Sequence, residues 1–286
     1  MTFNPGARLD PDQVSDVRGR SGGGRGLAFG GGGLGIVIAI AYLLLGGDPS
    51  ALIQPAPGGA AEPNASVLAE CKTGADANAR PDCRIVGFVN SIEAYWTGAY
   101  KSGGNTYRHA ETFLYSDGVN TGCGSATSAV GPFYCPPDES IYIDLGFFDD
   151  LQTRFGAEGG PLAEAYVVAH EYGHHIQNIE NILKPGGDSG AESYAVRTEL
   201  QADCFAGVWV HHAASTNFLQ PPTDAEIGQA LSAAAAVGDD RIQESTQGQV
   251  NPEAWTHGSA EQRQKWFSIG YKSGVPDDCN TFNGDI

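Results

Sequence analysis

The chain has 286 residues, room for one large domain or two small ones. Its 34 acidic against 16 basic side chains give a net charge of −18, which excludes a partner held through a phosphate backbone, nucleic acid included. Forty glycines and a single methionine point to a loop-rich fold.

Residues 1–25 are polar and Gly/Arg-rich and read as a disordered cytoplasmic tail. Arg18, Arg20 and Arg25 precede the uncharged run GLAFGGGGLGIVIAIAYLLLGG at 26–47, which is long enough to span a bilayer. Basic residues ahead of such a run hold the tail inside and send the rest out. The run is therefore expected to be an uncleaved transmembrane signal anchor, with the remainder of this single-pass chain extracytoplasmic; a cleaved signal peptide is the rival reading. Residues 48–66 read as a Pro/Gly/Ala tether, and the globular domain is expected at 67–286.

Six cysteines follow, none in the CxxC spacing of a zinc ribbon or redox site. They permit about 15 pairings; the simplest is Cys71–Cys83, Cys123–Cys135 and Cys204–Cys279. Structural disulfides require an oxidising compartment, in keeping with the expected topology.

Helices are expected near 82–100, 161–182, 191–213, 224–237 and 259–272. Pro161 suits the first helical turn, and Thr223 with Glu226 three residues on forms a capping box. Between the first two helices, Ile141, Ile143 and Leu145 alternate in SIYIDLGFFDDL, which predicts a strand with one buried face. The fold class is α+β, mainly helical, with a small sheet ahead of the second helix.

That second helix contains VVAHEYGHHIQN at 167–178. His170 and His174 are four residues apart, so a helix places both imidazoles on one face, where they can share one tetrahedral zinc ion. Glu171 flanks that position and is placed to take a proton from an activated water. Val167, Val168 and Ala169 give the helix the apolar flank of a buried element. His175 is rotated about 100° from His174 and is expected to be packed or hydrogen-bonded instead.

A catalytic zinc takes a third protein ligand and leaves one position open. Glu199 and Asp203, one turn apart in RTELQADCFAG, sit among apolar residues where unpaired carboxylates are costly. Glu199 is the candidate ligand and Asp203 the residue that fixes a histidine tautomer; Glu192 and His212 are rival ligands. Further on, THGSAEQRQKWF offers His257 as a donor to a developing oxyanion. Arg263 would anchor that loop or bind a substrate carbonyl, and Asp239 and Asp240 in AVGDDRIQ would orient His257.

The order H-E-x-x-H, E-L-x-A-D, T-H-G-S-x-x-Q-R resembles the putative neutral zinc metallopeptidase family of bacteria, as does FYCPPDESIYIDLGFFDDL at 133–151. More distantly it is similar to gluzincins of the CAAX prenyl endopeptidase and membrane heat-shock type. The resemblance implies a zincin-like catalytic domain with the sheet packed on the H-E-x-x-H helix, in the bacterial cell envelope. It implies one zinc ion held by His170, His174 and Glu199, with Glu171 as base, Asp203 behind a ligand, and His257 stabilising the transition state. Gly258 stands where the distant relatives have proline. The expected reaction is hydrolysis of a peptide or protein, its chain laid along the strand near Ile141–Asp144 by edge pairing. The alternatives are a non-catalytic zinc-binding scaffold or regulatory envelope protein, and a surface domain without metal that binds other proteins.

Overall fold

The computed structural model describes residues 1–19, 65–184 and 187–286. The expected transmembrane anchor at 26–47 lies outside the described residues, as does nearly all of the tether. Among the described residues no helix is long and apolar enough to cross a membrane.

Strand β1 (Val14–Asp16) comes first. Helices α1 (Ala65–Leu68), α2 (Gly74–Ala79) and α3 (Pro81–Ser102) follow. Then come β2 (Glu111–Tyr115), β3 (Gly118–Thr121), β4 (Gly124–Thr127), β5 (Phe133–Cys135) and β6 (Ser140–Asp144). The second half is helical: α4 (Phe147–Thr153), α5 (Pro161–Ile179), α6 (Tyr194–His212), α7 (Asp224–Ala236), α8 (Asp239–Gln247) and α9 (Ala260–Ser273). The architecture is α+β and mainly helical, as expected.

Local chemistry sets the helix ends. Pro161 sits in the first turn of α5, and Thr223 with Glu226 closes a capping box on α7. Ser259 and Gln262 do the same for α9, directly after His257. The first orphan N–H groups of these helices thereby gain partners.

The four-stranded sheet runs in the order β1-β2-β6-β5; β1, β2 and β6 are parallel, and β5 is antiparallel to β6. β3 and β4 form a separate hairpin. The expected strand at 141–145 exists as β6, but all five of its residues are buried rather than one face. The reason is position: β6 is central, with Ile141 and Ile143 in the main core and Tyr142 in a smaller cluster with Tyr115, Val130 and Phe133. A strand covered on both faces loses the polar half of its alternation.

The main core joins α3, α5 and α6 through Phe88, Trp209, Tyr166 and Leu200, and α9 enters it through Phe267. The three disulfides are Cys71–Cys83, Cys123–Cys135 and Cys204–Cys279, the simplest pairing.

The expected disorder of residues 1–25 is corrected for residues 1–19. They form an arm along the domain, with Phe3 fully buried and β1 in the sheet. Met1, Phe3, Leu9 and Val14 are its buried apolar residues. They follow neither a helical nor a strand period, so the sequence pattern conceals them.

Candidate metal centre

Two packed helices of the core carry the site: α5 brings His170, Glu171 and His174, and α6 brings Glu199 and Asp203. Gly173 lets the two helices meet. A Cβ there would lie 2.8 Å from the Ala202 Cα, closer than packed atoms allow. With glycine, ligand atoms of His170, His174 and Glu199 lie within 4.8 Å of one another, all three residues buried. The rivals fall away on position: Glu192 pairs with Arg197, and His212 Nε2 lies 2.9 Å from the Gly274 carbonyl oxygen.

Each histidine has its outer nitrogen held. Asp203 Oδ1 lies 2.8 Å from His170 Nδ1, and Gln177 Oε1 lies 2.9 Å from His174 Nδ1. The Gln177 amide nitrogen donates to the Thr198 carbonyl at 2.7 Å and to Gln201 Oε1 at 3.0 Å, so its oxygen is the end that faces His174. Both Nδ1 atoms therefore carry the proton. Both Nε2 atoms point inward, 3.1 and 3.5 Å from the Glu199 carboxylate. Two imidazole nitrogens and a carboxylate converging in a buried site form the His₂Glu donor set that suits zinc. The residues present fit the ion.

Electrostatics agree with that fit. Burial would raise Glu199, but His174 and His170 outweigh it and hold the carboxylate well below its ordinary range. Burial would lower His170, but Asp203 and Glu199 outweigh it and push the ring up to about 10. A cation at Nε2 would take the place of that proton. Burial raises Glu171 above the ordinary carboxylate range.

Asp203 is the hub behind His170. Its Oδ1 also accepts from the Tyr166 hydroxyl at 2.5 Å, and Arg263 donates from Nε to Oδ2 at 2.8 Å and from Nη2 to Oδ1 at 2.9 Å. Arg263 reaches the Val237 carbonyl as well and is 3 % exposed. Through Nε and Nη2 it supports the ligand framework at Asp203 and Tyr166, and it also lines the cavity.

Asp239 does hold His257. One oxygen lies 2.9 Å from His257 Nδ1, and the other accepts the backbone N–H groups of Thr256, His257 and Gly258 at 2.7, 2.7 and 3.1 Å. Asp240 accepts from the Ala260 N–H at 2.7 Å. Gly258 adopts φ 88°, a left-handed conformation closed to proline, whose φ is fixed near −65°. His257 lines the same cavity as His170, Glu171, His174 and Glu199.

His175 is buried, with its Nε2 2.6 Å from the Arg108 carbonyl oxygen and its Nδ1 3.1 Å from the Tyr134 hydroxyl. It ties α5 to β5. Sequence reasoning missed Tyr166 and Gln177, although both carried a signal. Tyr166 lies four residues before His170 and Gln177 three after His174, on the ligand-bearing face. It also missed the cavity's apolar wall of Phe133, Phe147, Phe155 and Ile242, which comes from elements distant in the chain.

The edge available to an extended peptide differs from the expected one. β6 is paired on both sides, whereas β5 is an edge strand, and Phe133 and Tyr134 line the cavity.

The chain is 49% identical over 252 residues to uncharacterized protein Rv2575 of Mycobacterium tuberculosis, covering 84% of this chain and 85% of that one. It is equally similar to uncharacterized protein Mb2605 of Mycobacterium bovis. It is 41% identical over 203 residues to uncharacterized protein YpfJ of Escherichia coli, covering 68% and 69%. No solved structure matches. The profile of one family, described as "Putative neutral zinc metallopeptidase", matches residues 6–282, and the chain belongs to that family.

Proposed function

We propose that this protein is a zinc-dependent peptidase that hydrolyses peptide bonds with Glu171 as general base. One observation carries the reading: the Nε2 atoms of His170 and His174 converge on Glu199 while both Nδ1 atoms are held by acceptors, beside a cavity that contains Glu171. A bound zinc ion would polarise the scissile carbonyl and acidify a water. His170, His174 and Glu199 would hold one such ion.

The remaining work falls to the chain. Glu171 takes the proton of the attacking water and returns it to the leaving amine. His257, its Nδ1 engaged by Asp239, has Nε2 left to donate to the developing oxyanion. Asp203 and Gln177 keep the ligand tautomers, and Arg263 keeps Asp203 charged and in place.

The substrate is a peptide or unfolded protein segment. It pairs with the free edge of β5, replacing the edge first expected at 141–144. An apolar side chain next to the scissile bond enters the cavity walled by Phe133, Phe147, Phe155 and Val167. Three disulfides support an oxidising, extracytoplasmic location in the cell envelope. The run at 26–47 is our candidate for the segment that attaches the chain to the membrane.

A scaffold that binds zinc without catalysis would close the site with a fourth protein ligand. Among the described residues the His170 group has three. The experiment is cleavage of an unfolded protein substrate by wild type and by Glu171→Gln, with the new termini identified by mass spectrometry. Loss of cleavage in the variant, with zinc retained, supports the peptidase; equal cleavage by both removes it.

A further inference from the structure

Residues 1–19 enter the core of the domain that follows them. The Phe3 and Phe88 ring centroids are 5.2 Å apart. Asn78 brackets Phe3, accepting its N–H at 2.9 Å and donating to its carbonyl at 3.0 Å. Asn90 repeats the arrangement at Asp10, with distances of 2.7 and 3.0 Å. Leu9 donates to the Lys72 carbonyl and Gln220 to the Thr2 carbonyl, both at 2.9 Å. β1 then pairs along its whole length with β2, from Val14 opposite Thr112 to Asp16 opposite Leu114.

The domain is shaped to receive this arm. A Cβ on Gly87, within α3, would lie 2.2 Å from the Phe3 ring, and one on Gly74 would lie 2.0 Å from the Asn4 carbonyl oxygen. Glycine within a helix costs about 0.5–1 kcal/mol relative to alanine. At Gly87 that cost makes the space that Phe3 occupies.

The arm also removes a support from the expected topology. Arg18 was one of the three arginines read as a cytoplasmic anchor. Its guanidinium pairs with Asp16 at 2.6 Å and lies 3.8 Å from Asp82 of α3. Its charge is used inside the fold. The chain leaves the domain after β1 and returns at α1, which packs beside β1.

We infer that residues 1–19 and the metal-binding domain fold together on one side of the membrane. A strand cannot join a sheet, nor a phenylalanine a core, across about 30 Å of hydrocarbon. The three disulfides put the domain in an oxidising compartment, and the arm shares it. The tail and the domain are not divided between cytoplasm and exterior. The family profile begins at residue 6, inside the arm, so the arm belongs to the shared unit.

The test uses two reporter thiols in the full-length chain, each introduced alone: Ser15→Cys on β1 and Ser102→Cys at the end of α3. Both serines are exposed, and the six native cysteines are all in disulfides. Spheroplasts are treated with a membrane-impermeant maleimide before and after detergent lysis. The inference expects the same pattern for both positions. Labelling of one in intact spheroplasts and of the other only after lysis overturns it. A second measurement places a protease site within residues 52–58. After cleavage the N-terminal fragment should co-elute with the domain on size exclusion, and Gly87→Ala, whose methyl group takes the place of Phe3, should reduce that retention. Release of the fragment from the cleaved wild-type domain overturns the inference.

Discussion

The two histidine ligands stand one turn apart on the same helix, yet they are backed by different chemistry. His170 rests on an ionic assembly: Asp203 is gripped by Nε and Nη2 of Arg263 and by the Tyr166 hydroxyl. His174 rests on neutral amides, with Gln177 in front and the Thr198 carbonyl and Gln201 behind. Both arrangements fix the same tautomer. They differ in what they add: a carboxylate increases the basicity of the ring it faces, while an amide only orients it. They also differ in exposure to failure, since a buried carboxylate that loses its cation is far costlier than an amide that loses one hydrogen bond.

Removing the cation is the harshest way to break this contrast. Arg263→Ala strands Asp203 in the core, and the expected cost is about 3–5 kcal/mol of stability. In a thermal melt that is a drop on the order of 10 °C in Tm. A melt within about 2 °C of wild type would mean the assembly does not depend on Arg263.

Asp203→Asn preserves shape and removes charge. Zinc affinity, measured by competition with a chromophoric chelator, should fall about 10–100-fold while the fold persists. Gln177→Met, the matching change on the neutral side, removes one hydrogen bond of roughly 0.5–1.5 kcal/mol, or about 2–10-fold in affinity. If Asp203→Asn and Gln177→Met weaken zinc equally, the distinction between the two sides is wrong.

Much of this was legible in the sequence for physical reasons. Ligands at positions 170 and 174 are fixed by helical geometry within one element, and the second carboxylate pair, Glu199 and Asp203, follows the same one-turn rule. Helix starts at Pro161 and Thr223 were written in their caps. What was hidden depends on contacts between distant segments. β6 shows an alternating pattern because Ile141 and Ile143 face the main core, but the sequence does not say that Tyr142 is buried on the other face. The cavity wall gathers Phe133 from β5, Phe147 from α4, Phe155 from the turn just after α4, and Ile242 from α8. The arm was hardest to see. Phe3, Leu9 and Val14 lie in a polar, irregular stretch, and it is Asn78, Asn90 and Gly87 that give them a place.

The account's central claim is that His170, His174 and Glu199 hold a zinc ion for chemistry performed by Glu171. Its most direct test measures zinc per chain and turnover of an unfolded protein substrate on the same preparations of wild type, Glu171→Gln and Glu199→Ala. The account predicts about one zinc and cleavage in wild type. It predicts the same zinc with turnover reduced by about 10²–10⁴-fold in Glu171→Gln, and little zinc and no cleavage in Glu199→Ala. Wild-type turnover in Glu171→Gln, or undiminished zinc in Glu199→Ala, would contradict it.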